Sequence, residues 1–151
     1  MQPSILHKKQ MVLAGIRGDG ADAAGLWRKY EQLRGDALLT DRVGEDHFEL
    51  RLSDDEGCAC LVGALVSGED ELPAGFTRVV LPPSVYACFD VRVAEGYDSQ
   101  NAAMEQWLEH NPEGYREGKL DGRGCTVERY GERFCGCAPE SIVEIWIAVY
   151  R

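Results

Sequence analysis

The chain has 151 residues, 44% hydrophobic and 28% charged, an ordinary globular composition that excludes intrinsic disorder as its main state. At this length a folded chain buries roughly 70% of the surface it exposes when unfolded, so a core can form without disulfide or metal staples. Sixteen Lys and Arg against 26 Asp and Glu leave a formal charge of −10, which argues against a basic nucleic-acid footprint and leaves cationic small molecules, basic proteins or plain solubility.

The N-terminal stretch MQPSILHKKQMVLAGIRGDG places its lysines after the first apolar residues and has only a short apolar run, Met11 to Ile16. A signal peptide has the reverse order, and no stretch approaches the ~20 apolar residues of a membrane span. The expectation is a cytoplasmic protein with reduced thiols.

Leu6 to Arg17 reads as one β-segment ending at Gly18-Asp19-Gly20. Ala21 to Leu33 has helix-forming residues with Ala23, Leu26, Trp27, Tyr30 and Leu33 roughly on one face. His47 to Leu52 alternates, with Phe48, Leu50 and Leu52 on one side, and Cys58 to Val66 returns as an apolar strand after the Asp54–Gly57 turn. Phe76 to Leu81 is a connecting strand cut by Pro82-Pro83, and Tyr86 to Val93 alternates. Asp98 to His110 is a helix with Asp98 or Ser99 as N-cap and Asn111-Pro112 as its stop. Cys125 to Tyr130 and Ile142 to Tyr150 close the chain as strands.

The order strand–helix–strand–strand thus occurs twice. This predicts an α+β fold over 1–151, with two pseudo-symmetric βαββ units, about 1–75 and 76–151, built of antiparallel sheets. A seam between such units is where a ligand would enter. Excess acids gather in the connections, as at Asp41, Glu45, Asp46 and Glu69-Asp70-Glu71, where solvation explains them better than a partner site.

Six cysteines fall at Cys58, Cys60, Cys88, Cys125, Cys135 and Cys137. Zinc sites usually space paired ligands C-x₂₋₄-C, and residues i and i+2 of a strand lie about 6.6 Å apart on one face. Cys58, Cys60 and Cys88 therefore read as small core residues, with no metal expected; Cys135 and Cys137, in a glycine-containing loop, stay open.

Glu144 stands in the apolar run Ile142–Val149, where alternation puts Ile142, Glu144, Trp146 and Ala148 on one face. Such a carboxylate is desolvated with a raised pKa, paired with a cation, or at an edge that reaches water. Glu128 and Tyr130 share a face of CTVERY with Thr126, while Arg129 points the other way and reads as an internal ion-pair partner. Trp107, Trp27 and the tyrosines either build an aromatic box for an apolar or cationic ligand or pack helices on sheets. No dinucleotide, P-loop, nucleophile-elbow or HExxH pattern is present, and His7, His47 and His110 sit among charged neighbours.

Four stretches in this order resemble the GyrI-like small-molecule-binding family, also described as the AraC-type effector-binding domain: LPPSVYACFDVRV, the Trp107-bearing helix, CTVERY and VEIWIAV. The departures are Ala148 where proline is common and Ser84 where glycine is common. The resemblance covers essentially the whole chain and implies paired βαββ units around a central groove. Members often sense lipophilic cations for transcription regulators, and the acid of the last strand, lying at the bottom of the pocket, maps onto Glu144. Because the domain uses the full length, a separate DNA-binding part is not expected here.

The resemblance implies three readings. The first is a stand-alone binder of a lipophilic small molecule, cationic or neutral, through Glu144, Trp107, Tyr115, Trp146, Tyr86 and Trp27. The second is a hydrolase of strained cyclopropane-type electrophiles, in which Glu144 activates water and Tyr115 donates a proton. The third is a module that binds a protein, gyrase or a regulator, through its acidic surface. None requires a cofactor, nucleic acid or membrane.

Overall fold

A computed structural model describes all 151 residues. The N-terminal β-segment is two strands, β1 (Ser4–Lys8) and β2 (Met11–Asp19), rather than one. Lys9-Gln10 separates them because they pair with different halves of the molecule, a choice that alternation along one segment does not encode. Asp19 then caps a 3₁₀ turn, its Oδ1 accepting the Ala21 N–H at 2.8 Å, and α1 follows (Ala23–Gln32). A four-residue helix, α2 (Gly35–Leu38), is too short for periodicity to announce.

β3 (His47–Asp54) and β4 (Gly57–Val66) form a hairpin whose turn is held by Asp54 accepting the Glu56 N–H at 2.8 Å. β5 (Thr77–Leu81) ends at Pro82-Pro83, which lack N–H donors, and β6 (Ser84–Arg92) resumes immediately. The third helix, α3 (Asp98–His110), has Tyr97 at its N-cap, so neither Asp98 nor Ser99 caps it and both lie in its first turn. At its end, Asn111 accepts the Tyr115 N–H at 2.8 Å and donates to the Trp107 carbonyl at 2.9 Å. Two short strands, β7 (Arg116–Glu117) and β8 (Lys119–Leu120), precede β9 (Arg123–Tyr130) and β10 (Ile142–Tyr150).

The main strands form one antiparallel sheet in the order β1-β6-β10-β9-β3-β4-β2-β5, with β7 on β10 and β8 on β9. The two βαββ units, β2-α1-β3-β4 and β6-α3-β9-β10, are therefore a single curled sheet joined at β3–β9. β1 precedes one unit but pairs with β6 of the other, and β5 precedes the second unit but pairs with β2 of the first. This exchange ties the halves together. The Gly15–Gly63 pair leaves no room for side chains: a Cβ on either residue would fall 1.9 Å from a carbonyl oxygen of the opposite strand.

The inner face packs into one 13-residue core, with Leu13, Phe48, Leu50, Leu61, Tyr86, Val127 and Trp146 at its centre. The outer face carries the helices. Leu26 and Tyr30 of α1 pack on Ile16, Val62 and Ala64, whereas Met104, Trp107 and Leu108 of α3 pack on Phe89, Val91 and Val143. The helices thus cover the flanks of the sheet and leave the outer face of β3 and β9, at its middle, between them.

Candidate functional site

The outward side chains at the middle of β3 and β9 are Glu49, Arg51, Thr126 and Glu128, with Glu49 directly opposite Glu128 and Arg51 opposite Thr126. Two cavities approach this floor. A larger one, about 610 Å³, lies at the His47–Tyr130 end and is walled by Trp27, Tyr130 and Phe134, with Glu31, Glu45, Asp46 and Glu132 around it. The other, about 360 Å³, lies against α3 and reaches Glu128 and Arg51 past Tyr97, Met104, Ile145 and Ile147.

Both carboxylates are dry, with side-chain exposures of 6% for Glu49 and 14% for Glu128. The Glu49 Oε1 accepts the Trp27 indole N–H at 2.8 Å, and its Oε2 accepts Arg51 Nε at 2.9 Å. Arg51 Nε lies 3.6 Å from Glu128 Oε2 and is anchored through Nη1 to the Gly20 carbonyl at 3.1 Å. Tyr130 donates its hydroxyl to Glu128 Oε1 at 3.1 Å, and its ring meets Trp27 edge-on at 4.9 Å. Trp27 and Tyr130 therefore cap an acid pair with an aromatic wall.

Burial pushes the Glu128 carboxyl up to about 8, and the hydrogen bond and negative charge of Glu49 add to the shift. Desolvation acts on Glu49 too, but hydrogen bonds with Glu128 and Trp27 and the charge of Arg51 outweigh it and hold Glu49 below the usual carboxylate range. Two acids so close cannot both ionise cheaply, and the environment drives them apart. Tyr97 and Tyr130 are raised by burial and by the same carboxylates, so both phenols stay neutral.

The residues singled out from the sequence do not all meet here. Trp27 does. Glu144 lies on the inner face of β10, since its neighbour Ile145, not Glu144 itself, stands opposite Glu128. There it accepts from Trp146 Nε1 at 3.0 Å, Cys88 Sγ at 3.3 Å, Arg133 Nη2 at 3.2 Å and Arg129 Nη1. Desolvation is outweighed by these donors, so its carboxyl lies below the usual range rather than above it. Arg129 is the internal ion-pair partner that its orientation suggested, bonded also to Asp46 at 2.7 Å and Glu132 at 2.9 Å.

Trp146 and Tyr86 sit in the inner core, their rings 5.9 Å apart, and Lys8 already places its ammonium 4.9 Å from the Trp146 ring centre. Trp107 and Tyr115 stack on each other at 6.2 Å beneath α3, with Arg151 over the Tyr115 ring. Trp107 and Tyr115 therefore do not share one binding site with Trp146, because the sheet lies between them. Glu144 and Tyr115 do not form an acid–base pair for the same reason. Glu49 escaped the sequence reading, although the alternation that turns Phe48 and Leu50 inward turns Glu49 and Arg51 outward.

All six cysteines are free thiols; Cys60, Cys88 and Cys125 are buried, Cys58 is partly buried, and Cys135 and Cys137 are exposed. No helix is long and apolar enough to cross a membrane.

Paired βαββ units with a groove between their helices define an effector-binding domain. Residues 7–149 match Cass2, the integron-associated effector binding protein family, and the chain belongs to that family. No curated protein matches it in sequence. Among solved structures, it resembles a Staphylococcus aureus MU50 protein described as a bacterial transcription regulation protein, with a TM-score of 0.74 at 16% identity, covering 100% of this chain and 99% of that one. It also resembles SAV2435 bound to tetraphenylphosphonium (TM-score 0.73, 18% identity, 99% of this chain and 94% of that one). The EcmrR C-terminal domain is similar as well (TM-score 0.69, 18% identity, 99% and 98%). At these identities the likeness is one of fold.

Proposed function

We propose that the chain captures a lipophilic cation in the groove between α1 and α3, with Trp27, Tyr97 and Tyr130 supplying aromatic faces and the Glu49–Glu128 pair the counter-charge. The observation that carries this reading is the pair itself: two dry carboxylates opposite one another, with a single arginine between them. A quaternary cation needs no hydrogen-bond partner and gains from ring faces and from a carboxylate in a low-dielectric site. That SAV2435, of the same fold, is bound to tetraphenylphosphonium supports the choice of ligand class.

Titration with tetraphenylphosphonium, followed by tryptophan fluorescence, tests the reading. Trp27 contacts the site, so its emission should be quenched, and Trp27→Ala should weaken binding about tenfold, between the worth of an exposed and of a fully desolvated cation–π contact. Unchanged affinity in that variant would remove Trp27 from the site, and no binding by the parent protein would refute the reading.

A second reading, hydrolysis of a strained electrophile, is favoured by the opposed shifts of the pair, because Glu49 is ionised where Glu128 keeps its proton. Glu49 would take a proton from an attacking water and Glu128 would return one to the opening ring. A water-sized mass gain on a cyclopropane-containing compound, lost in Glu49→Gln, distinguishes it from binding alone.

A further inference from the structure

The charge inventory of the groove implies more than a site for a cation, an implication that rests on the binding reading. Glu49 and Glu128 face each other in register on the outer surface of β3 and β9, and Arg51 stands 2.9 and 3.6 Å from them. The remaining donors at the pair, the Trp27 indole and the Tyr130 hydroxyl, are neutral. The charged groups that α3 and β7 bring to the cavity beside α3 are Glu105 and Glu117, Tyr97 brings a phenol, and β4 brings the Cys60 thiol behind the pair, raised by burial and hence neutral. On the far side of Trp27 and Tyr130 the lining groups are Glu31, Glu45, Asp46, Glu132 and His47, whose imidazole is held below its usual range by burial and by Arg42.

Arg51 is thus the one fixed positive charge against two buried carboxylates. With both ionised, the pair and Arg51 would hold an uncompensated negative charge in a dry site, because Arg129, the arginine beyond Tyr130, is already taken up by Asp46, Glu132 and Glu144. With one proton retained, they are neutral. We infer that Glu49 and Glu128 form a proton-exchange subsite: the unliganded groove holds one proton on the pair, and a permanently charged monocation that reaches it expels that proton to solvent, whereas a neutral molecule of the same shape expels none. The raised Glu128 and lowered Glu49 are the same distribution seen as titration. The exchange sets a selectivity among ligands. At low pH the groove favours neutral aromatic molecules, and with rising pH it favours quaternary ammonium or phosphonium ions.

The slope is set by linkage. Between the ordinary carboxylate range and about 8, affinity for a permanent cation should rise about tenfold per pH unit, then level off once the pair has lost its proton.

The test is calorimetry of the full chain with tetraphenylphosphonium near neutral pH, in buffers of different ionisation heat. The expected result is one proton released per cation, and none for neutral triphenylphosphine oxide. Glu128→Gln should abolish the release and make cation affinity independent of pH. As a measurement that needs no ligand, infrared spectroscopy should show a protonated carboxyl band near neutral pH that is absent from Glu128→Gln or, if that variant fails to fold, from Glu49→Gln. Cation binding without proton release, or absence of the band from the parent protein, overturns the exchange and leaves the binding site standing. Failure of tetraphenylphosphonium to bind at all overturns both.

Discussion

Replacing Glu144 by glutamine separates an acid that holds the fold from one that meets a ligand. The carboxylate accepts four donors, Trp146 at 3.0 Å, Arg133 at 3.2 Å, Cys88 at 3.3 Å and Arg129. Glutamine keeps the shape but loses the charge, so the arginine contacts weaken most. Neither arginine is orphaned, because Arg129 keeps Asp46 and Glu132, and Arg133 keeps both oxygens of Asp90 at 2.7 and 2.9 Å. The cost should therefore fall near that of one or two charge-assisted hydrogen bonds, about 2 kcal/mol, not the 3–5 kcal/mol of a stranded buried charge. For a domain of this size that is a fall in Tm of about 4–8 °C.

The pH dependence has a definite sign. A carboxylate held below its unfolded value stabilises the fold above the ordinary carboxylate range, and the contribution is lost as pH falls through the folded value. Glu144→Gln should therefore lower Tm near neutrality and flatten the acid side of the stability profile. Affinity for tetraphenylphosphonium should stay within about twofold, since Glu144 lies across the sheet from the groove and an inward change of charge is poorly felt there. Thermal melts across pH, paired with fluorescence titration, read both. A tenfold loss of cation affinity with an unmoved Tm would refute the reasoning and return Glu144 to the ligand.

Glu128→Gln should act in the opposite pH range. Because the folded protein keeps the Glu128 proton after the unfolded chain has lost it, wild-type stability should decline from the ordinary carboxylate range up to about 8, and the variant should lose that decline in thermal melts. Under native conditions a disulfide-exchange reagent should react quickly with Cys135 and Cys137 alone, and more slowly with Cys58. Cys60, Cys88 and Cys125, whose thiols burial pushes up to about 12, should react only after unfolding, which should expose six thiols without reductant.

The alternation of apolar residues along each segment, with the proline and glycine breaks between them, determined the repeated strand–helix–strand–strand order, because a period of two or of 3.6 is a property of neighbouring residues. It also placed Glu128 and Tyr130 on one face and turned Arg129 away from them. The division of the N-terminal segment was not written there, since β1 and β2 are told apart only by the distant strands they join, β6 for one and β4 and β5 for the other. Nor was the choice between two acids. Glu144 and Glu128 each interrupt a half-buried strand, and locally they look alike. The pairing of β10 with β9 sets Glu144 opposite Arg129 and Ile145 opposite Glu128, so one acid turns to the inner face and its arginines and the other to the groove. Side chains alternate between faces, so a shift of one residue in that register would bring both acids to the same face, and register is decided by the whole inner core closing at once.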